Sequence, residues 1–118
     1  MKPLAAITID EHGPTLVAHV VGEVDLSNVD EIRALVVDAV THDVECLILD
    51  LTQTTYLDST GVRLLFEFAE RLEGRRQQLR LVVDGDALVH RVVTLTQLDQ
   101  RVPMDSSVAE ALAAAQER

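Results

Sequence analysis

The chain has 118 residues, 47% of them hydrophobic and 25% charged, enough for one compact domain spanning 1–118 with an ordinary core. Ten Lys and Arg against twenty Asp and Glu leave a formal net charge of −10. This argues against nucleic acid and anionic membrane surfaces as partners and favours a protein presenting Arg or Lys. The single cysteine, Cys46, rules out an internal disulfide and fits a reducing, cytoplasmic setting.

The opening apolar run through Ile7 is too short for a signal peptide, and no stretch approaches the ~20 apolar residues of a membrane helix. Ala5–Asp10 and Thr15–Val21 are β-branched and loosely alternating, with Gly13-Pro14 between them, and read as a hairpin. Gly22 ends the second strand. Ser27 is placed to cap the next helix, with Asp30 three residues on as a shortened capping box. Val29, Ile32, Leu35, Val36, Ala39 and Val40 then fall on one helical face.

Cys46–Leu51 is an apolar run broken only by Asp50, as expected of a strand covered on both sides in a parallel sheet. Thr52–Thr55 reads as a polar loop leading to Tyr56-Leu57-Asp58-Ser59-Thr60-Gly61. The helix that follows carries Val62, Leu65, Phe66, Ala69 and Leu72 and stops near Gly74. Leu79–Val83 is a further strand, and Ala87–Leu95 a third helix with Val89, Val92 and Val93 inward. Gln97–Met104 leaves room for a short strand, which Pro103 confines to a sheet edge. Ser106 or Ser107 caps a last helix through Ala109, Leu112 and Ala113. The order ββαβαβα(β)α describes a single α/β domain with a mixed sheet of four to five strands and about four helices.

In such a sheet, function sits outside the carboxyl ends of the parallel strands. Asp50–Gly61, Asp84–Asp86 and Gly22–Leu26 converge there. His12, His19, His42 and His90 are scattered without ligand spacing, and Asp50, Asp58, Asp84 and Asp86 suit turn and helix caps better than a Mg²⁺ site. Phosphate-binding glycine motifs and a nucleophile elbow are lacking, so no catalysis and no cofactor or metal are expected. Cys46 reads as a small buried hydrophobe. A phospho-aspartate receiver would match the length and acidity, yet its strand-end lysine has no counterpart, because the only lysine is Lys2. What stands out is Asp58-Ser59 at a helix start. A hydroxyl there faces solvent, and a phosphate on it would meet the helix dipole and add about −1.5 to −2 charges. The same pair also suits a plain helix cap.

Gly22-Glu23-Val24-Asp25-Leu26, Leu47–Leu51 and Tyr56–Gly61 closely resemble the signature segments of the STAS domain, above all those of stand-alone bacterial anti-sigma factor antagonists. Leu79–Val83 and Val92–Asp99 fit as well, so the resemblance covers nearly the whole chain. It implies a STAS-like fold and a partner-switching protein of transcription regulation and stress response. The unmodified form binds an anti-sigma factor, often a serine kinase with an ATP-binding fold, and so frees a sigma factor. The kinase phosphorylates the Ser after the loop Asp, and a PP2C-type phosphatase restores it. Carried over by position, Ser59 is the phosphoacceptor; Asp58, Thr60 and Gly61 form its loop, and Asp25 lies in the adjoining loop of the partner surface. Arg63 stands where relatives carry a small residue, placed to tune partner choice or meet the phosphate. A monomer or weak dimer is expected. The alternatives are a non-catalytic STAS adaptor or scaffold subunit of a larger signalling or transport complex, and a small-ligand binder using Asp50–Gly61.

Overall fold

The computed structural model describes residues 5–116; Met1–Leu4, with Lys2, lie outside the described residues. The chain runs β1 (Ala5–His12), β2 (Thr15–Val24), α1 (Val29–Ala39), β3 (Cys46–Asp50), β4 (Thr54–Leu57), α2 (Ser59–Gly74), β5 (Gln78–Val82), α3 (Leu88–Leu95), a 3₁₀ turn (Leu98–Gln100), β6 (Met104–Asp105) and α4 (Val108–Gln116). One sheet has the order β1-β2-β3-β5-β6, with β4 also paired to β2. The β1–β2 hairpin is antiparallel and the other pairings are parallel.

All five residues of β3 are buried, because helices cover the sheet on both faces. Side chains alternate along a strand. Leu47 and Leu49 therefore enter the larger core with Leu16, Ala18 and Val20 of β2, the inner faces of α1 and α2, and Val89 and Val93 of α3. Cys46 and Ile48 join Val17, Val82 and the Ala111 and Ala115 stripe of α4 on the other side. Cys46 is buried as the sequence suggests.

Several expectations are corrected. β2 does not stop at Gly22 but continues to Val24 across a register shift between Gly22 and Glu23. Gly22 has φ of 108° there, a conformation that glycine takes readily, and its amide donates to the Gln53 carbonyl. The polar stretch Thr52–Thr55 is not all loop. Thr54 opens β4, is buried, and donates its hydroxyl to the Val20 carbonyl.

Ser27 does not cap α1. The cap position is Asn28, whose side chain makes no capping bond to the helix. On α1, Val29, Ile32 and Val36 are buried, as is Val40 just after it, whereas Leu35 is 47% exposed. On α2, Leu64 and Phe68 are buried, while Val62 and Phe66 are only partly covered. Val92 of α3 is half-buried rather than core. Helix α2 does end at Gly74, and the left-handed residue beyond it is Arg76, with φ of 59°. Helix α4 does run through Ala109, Leu112 and Ala113, and it buries Ala111 and Ala115. Ser107 accepts the Glu110 amide, while the Glu110 carboxylate takes the Ser106 amide and hydroxyl. Both serines thus serve the helix start.

Candidate functional site

Strand β4 points its carboxyl end at the start of α2, and the step between them is made by Asp58. Its backbone is extended at the cap position, and its Oδ1 accepts the Gly61 amide at 2.9 Å and the Thr60 hydroxyl at 2.5 Å. Its Oδ2 accepts the Leu26 amide at 3.1 Å. The Asp58 amide in turn donates to the Val24 carbonyl. The Thr60 hydroxyl first, then the Gly61 amide, hold the Asp58 carboxyl below its ordinary range, so it is a charged acceptor at neutral pH.

The opposing turn is organised by Asp25. Its Oδ1 accepts the Ser27 amide at 2.9 Å and hydroxyl at 2.5 Å, and its carbonyl accepts the amides of Asn28 and Val29. Asn28 closes the turn by accepting the Asp25 amide and donating to the Glu23 carbonyl. Ser27 is thereby drawn into the turn, its amide and hydroxyl both donating to Asp25, and lies one residue before the cap position Asn28. The result is an open depression lined by Asp25, Leu26, Ser27 and Asp58.

Ser59 occupies the first helical position and is exposed, whereas Thr60 is half-buried with its hydroxyl given to Asp58. Of the two adjacent hydroxyls, the first is therefore presented to solvent and the second is engaged in the cap. Gly61 is buried against β2: a Cβ there would lie 3.1 Å from the Val24 carbonyl oxygen and 3.1 Å from Leu57 Cδ2. Glycine lets the helix start approach the strand this closely. Arg63 is exposed four residues after Ser59, on the same face of α2. Among the described residues, the arginines in ion pairs with carboxylates are Arg33, Arg80 and Arg101.

The structure thus brings Asp25, Asp58, Ser59, Thr60 and Gly61 to one place, with Arg63 a turn further along. One neighbour, though inside the Gly22–Leu26 segment, is not singled out by the sequence. Leu26 is 74% exposed between the two aspartates, and a single apolar residue before a helix carries no periodic signal. The other acidic groups are employed separately. Asp50 accepts from the Thr52 amide and hydroxyl, and Asp84 accepts the Asp86 amide. Among the described residues no three metal-ligating side chains converge. Two further cavities, of about 620 and 470 Å³, lie away from this depression, beside Met104 and Glu110 and beside Gln77 and Arg101. No helix among the described residues is long and apolar enough to cross a membrane.

The family model of the STAS domain matches residues 6–111. The anti-sigma-F factor antagonist RsfB of Mycobacterium tuberculosis is 24% identical over 106 residues, covering 90% of this chain and 85% of the relative. The crystal structure of an anti-sigma factor antagonist from Mycobacterium paratuberculosis superposes with a TM-score of 0.85 at 25% identity, covering 95% of this chain and 94% of that one. SpoIIAA, an anti-sigma factor antagonist, matches in its unphosphorylated form with a TM-score of 0.73 at 24% identity over 94% of this chain and 98% of that one. Its phosphorylated form, described as a Bacillus cell fate determinant, matches at 0.69 and 23% over 92% and 98%.

Proposed function

The chain belongs to the STAS domain family, and on that footing we propose that it is an anti-sigma factor antagonist switched by phosphorylation of Ser59. Unmodified, the surface of Asp25, Asp58, Ser59, Thr60, Gly61 and Arg63 binds an anti-sigma factor and frees a sigma factor. The anti-sigma factor doubles as a serine kinase with an ATP-binding fold, and a PP2C-type phosphatase reverses the modification. The protein itself is non-catalytic and works in the cytoplasm as a monomer or weak dimer.

The observation that carries the reading is the unequal treatment of two neighbouring hydroxyls: Ser59 is exposed at the helix start while Thr60 is bound to Asp58. The names of the relatives support the partner class, and SpoIIAA exists in both phosphorylation states. The sign of the switch follows from electrostatics. Asp25 and Asp58 already make the surface acidic and suit a basic partner. A phosphate buried in that interface without a new basic neighbour costs several kcal/mol, and each ~1.4 kcal/mol is tenfold in affinity. The helix terminus accommodates the phosphate, so release requires no refolding. Leu26 adds an apolar contact at the centre of the same surface.

The test is intact-mass analysis of protein from its native host, with peptide mapping across residues 46–71. A single phosphate on Ser59 supports the reading. Its absence under every growth condition, together with stable residence in a multi-subunit assembly, would favour the adaptor alternative and leave Ser59 only a place at the helix start.

A further inference from the structure

Leu16, Ala18 and Val20 of β2 enter the main core, while Val17 faces the α4 side; by alternation His19 shares the face of Val17. Its ring lies between two neighbouring strands. Nδ1 is 2.7 Å from Asp50 Oδ2 on β3, and Nε2 is 3.0 Å from Asp10 Oδ2 on β1. Ionised carboxylates only accept, and a neutral imidazole carries a single N–H. Both contacts can therefore be hydrogen bonds only while the ring holds two protons. On losing one, a ring nitrogen turns a lone pair towards a carboxylate, and that contact is lost.

The two arms are unequal. The Asp50 side chain is 10% exposed and also accepts from Thr52, whereas the Asp10 side chain is 58% exposed and has water at hand. The Asp50 arm therefore keeps the remaining proton and the Asp10 arm opens. Asp10 belongs to β1, an edge strand paired to β2 alone. We propose that His19 is a proton-operated clasp on the edge strand β1, closed when the imidazole is charged and open when it is neutral.

Among the described residues, the charged groups in hydrogen-bond contact with the ring are Asp10 from β1 and Asp50 from β3, and both raise its proton affinity; His12, two positions beyond Asp10, shares its side of β1. From α4 the one charged residue described is Glu110, which is held by Ser106; from β4 the titratable group is Tyr56, beside Glu23 beyond the Gly22 step. Arg80 of β5 is engaged by Asp105. The hydrogen bond to Asp50 raises the His19 value most, burial lowers it, and Asp10 raises it again, for a net position above 6.5. The clasp thus opens on the alkaline side of that value. Because the carboxylates sit on opposite ring nitrogens, they enclose no common point for a metal ion. The device is independent of the Ser59 reading.

Nuclear magnetic resonance of the full chain, from acid to mildly alkaline pH, tests it by following the His19 ring and the β1 amides. The His19 midpoint should lie above 6.5, and Asp10→Asn should lower it. Protection of the β1 amides, corrected for intrinsic exchange, should fall roughly fivefold across that midpoint. In His19→Gln the same protection should be flat with pH. A midpoint at or below 6.5, a midpoint unmoved by Asp10→Asn, β1 protection that does not fall across the midpoint, or an identical fall in His19→Gln would each overturn the proposal.

Discussion

Asp58 reaches across to Leu26: the carboxylate that caps α2 also accepts the backbone amide of the β2–α1 turn, at 3.1 Å. One side chain therefore fixes the relative position of the two segments that frame Ser59. Asp58→Ala removes the cap and the bridge together. It should lower the melting temperature by a few degrees and speed amide exchange at Leu26 and Gly61, leaving β3 amides unchanged. Unchanged exchange at Leu26 would show that the bridge contributes nothing in solution.

Ser59→Asp places a carboxylate at a helix N-terminus, where it is favourable. Its unfolding free energy should stay within about 0.5 kcal/mol of the parent, while affinity for the anti-sigma factor falls at least ~tenfold. Ser59→Ala should bind as the parent does and take up no phosphate. Calorimetry with the purified partner separates these outcomes, and full binding by Ser59→Asp would count against the switch.

Leu26 is exposed, so its replacement bears on binding rather than folding. Leu26→Asp should leave stability within about 0.5 kcal/mol and weaken partner binding by roughly tenfold or more. Equal affinity in a surface-plasmon measurement would place Leu26 outside the interface without touching the role of Ser59.

Gly61→Ala should be costly for a helical Gly-to-Ala exchange, because the new methyl meets a backbone oxygen and a buried leucine. Overpacking of this kind costs about 1–3 kcal/mol, readable in a denaturant titration. A gain in stability would mean that α2 can slide away from β2.

Asp50, the most buried of the depressed carboxylates, contributes to the acid limb of stability. Burial pushes its carboxyl up, but the Thr52 hydroxyl and amide and then His19 outweigh burial and hold it below 3.8. A group depressed in the folded state contributes stability above 3.8 that is lost as pH falls through its folded value. Asp50→Asn should therefore lower stability at neutral pH and flatten the decline on acidification, measured by denaturant unfolding at stepped pH. A decline as steep as that of the parent would assign the acid limb to other carboxylates.

The hydrophobic pattern carries most of the fold, because β2, β3 and the inner faces of α2 and α3 are built from long apolar runs. It misleads where a residue is apolar but unneeded. Leu35 has the spacing of a core residue, yet it stands 47% exposed because α1 packs through Val29, Ile32 and Val36. β4 is hidden for the opposite reason: one of its two buried residues is Thr54, whose hydroxyl is satisfied by a backbone carbonyl rather than by water. The face of α4 is ambiguous because alanines surround the helix. At the site, Asp58, Ser59 and Gly61 are visible as a loop-to-helix signature. The link from Asp58 to Leu26 is not, since it joins residues 32 positions apart. Ser27 shows the limit of local rules, because a good capping residue is captured by the aspartate two positions before it.

The step at Gly22 lets β2 hold β3 along its lower half and β4 along its upper half, on one continuous strand. The framework beneath Ser59 is thus anchored, through β4, to the strand that also pairs with the fully buried β3. A partner that presses on this loop pushes against the whole sheet, so little chain entropy is left to lose on docking. Such a mount favours encounter by near-rigid fit, with dissociation rather than association speed setting the differences in affinity between partners.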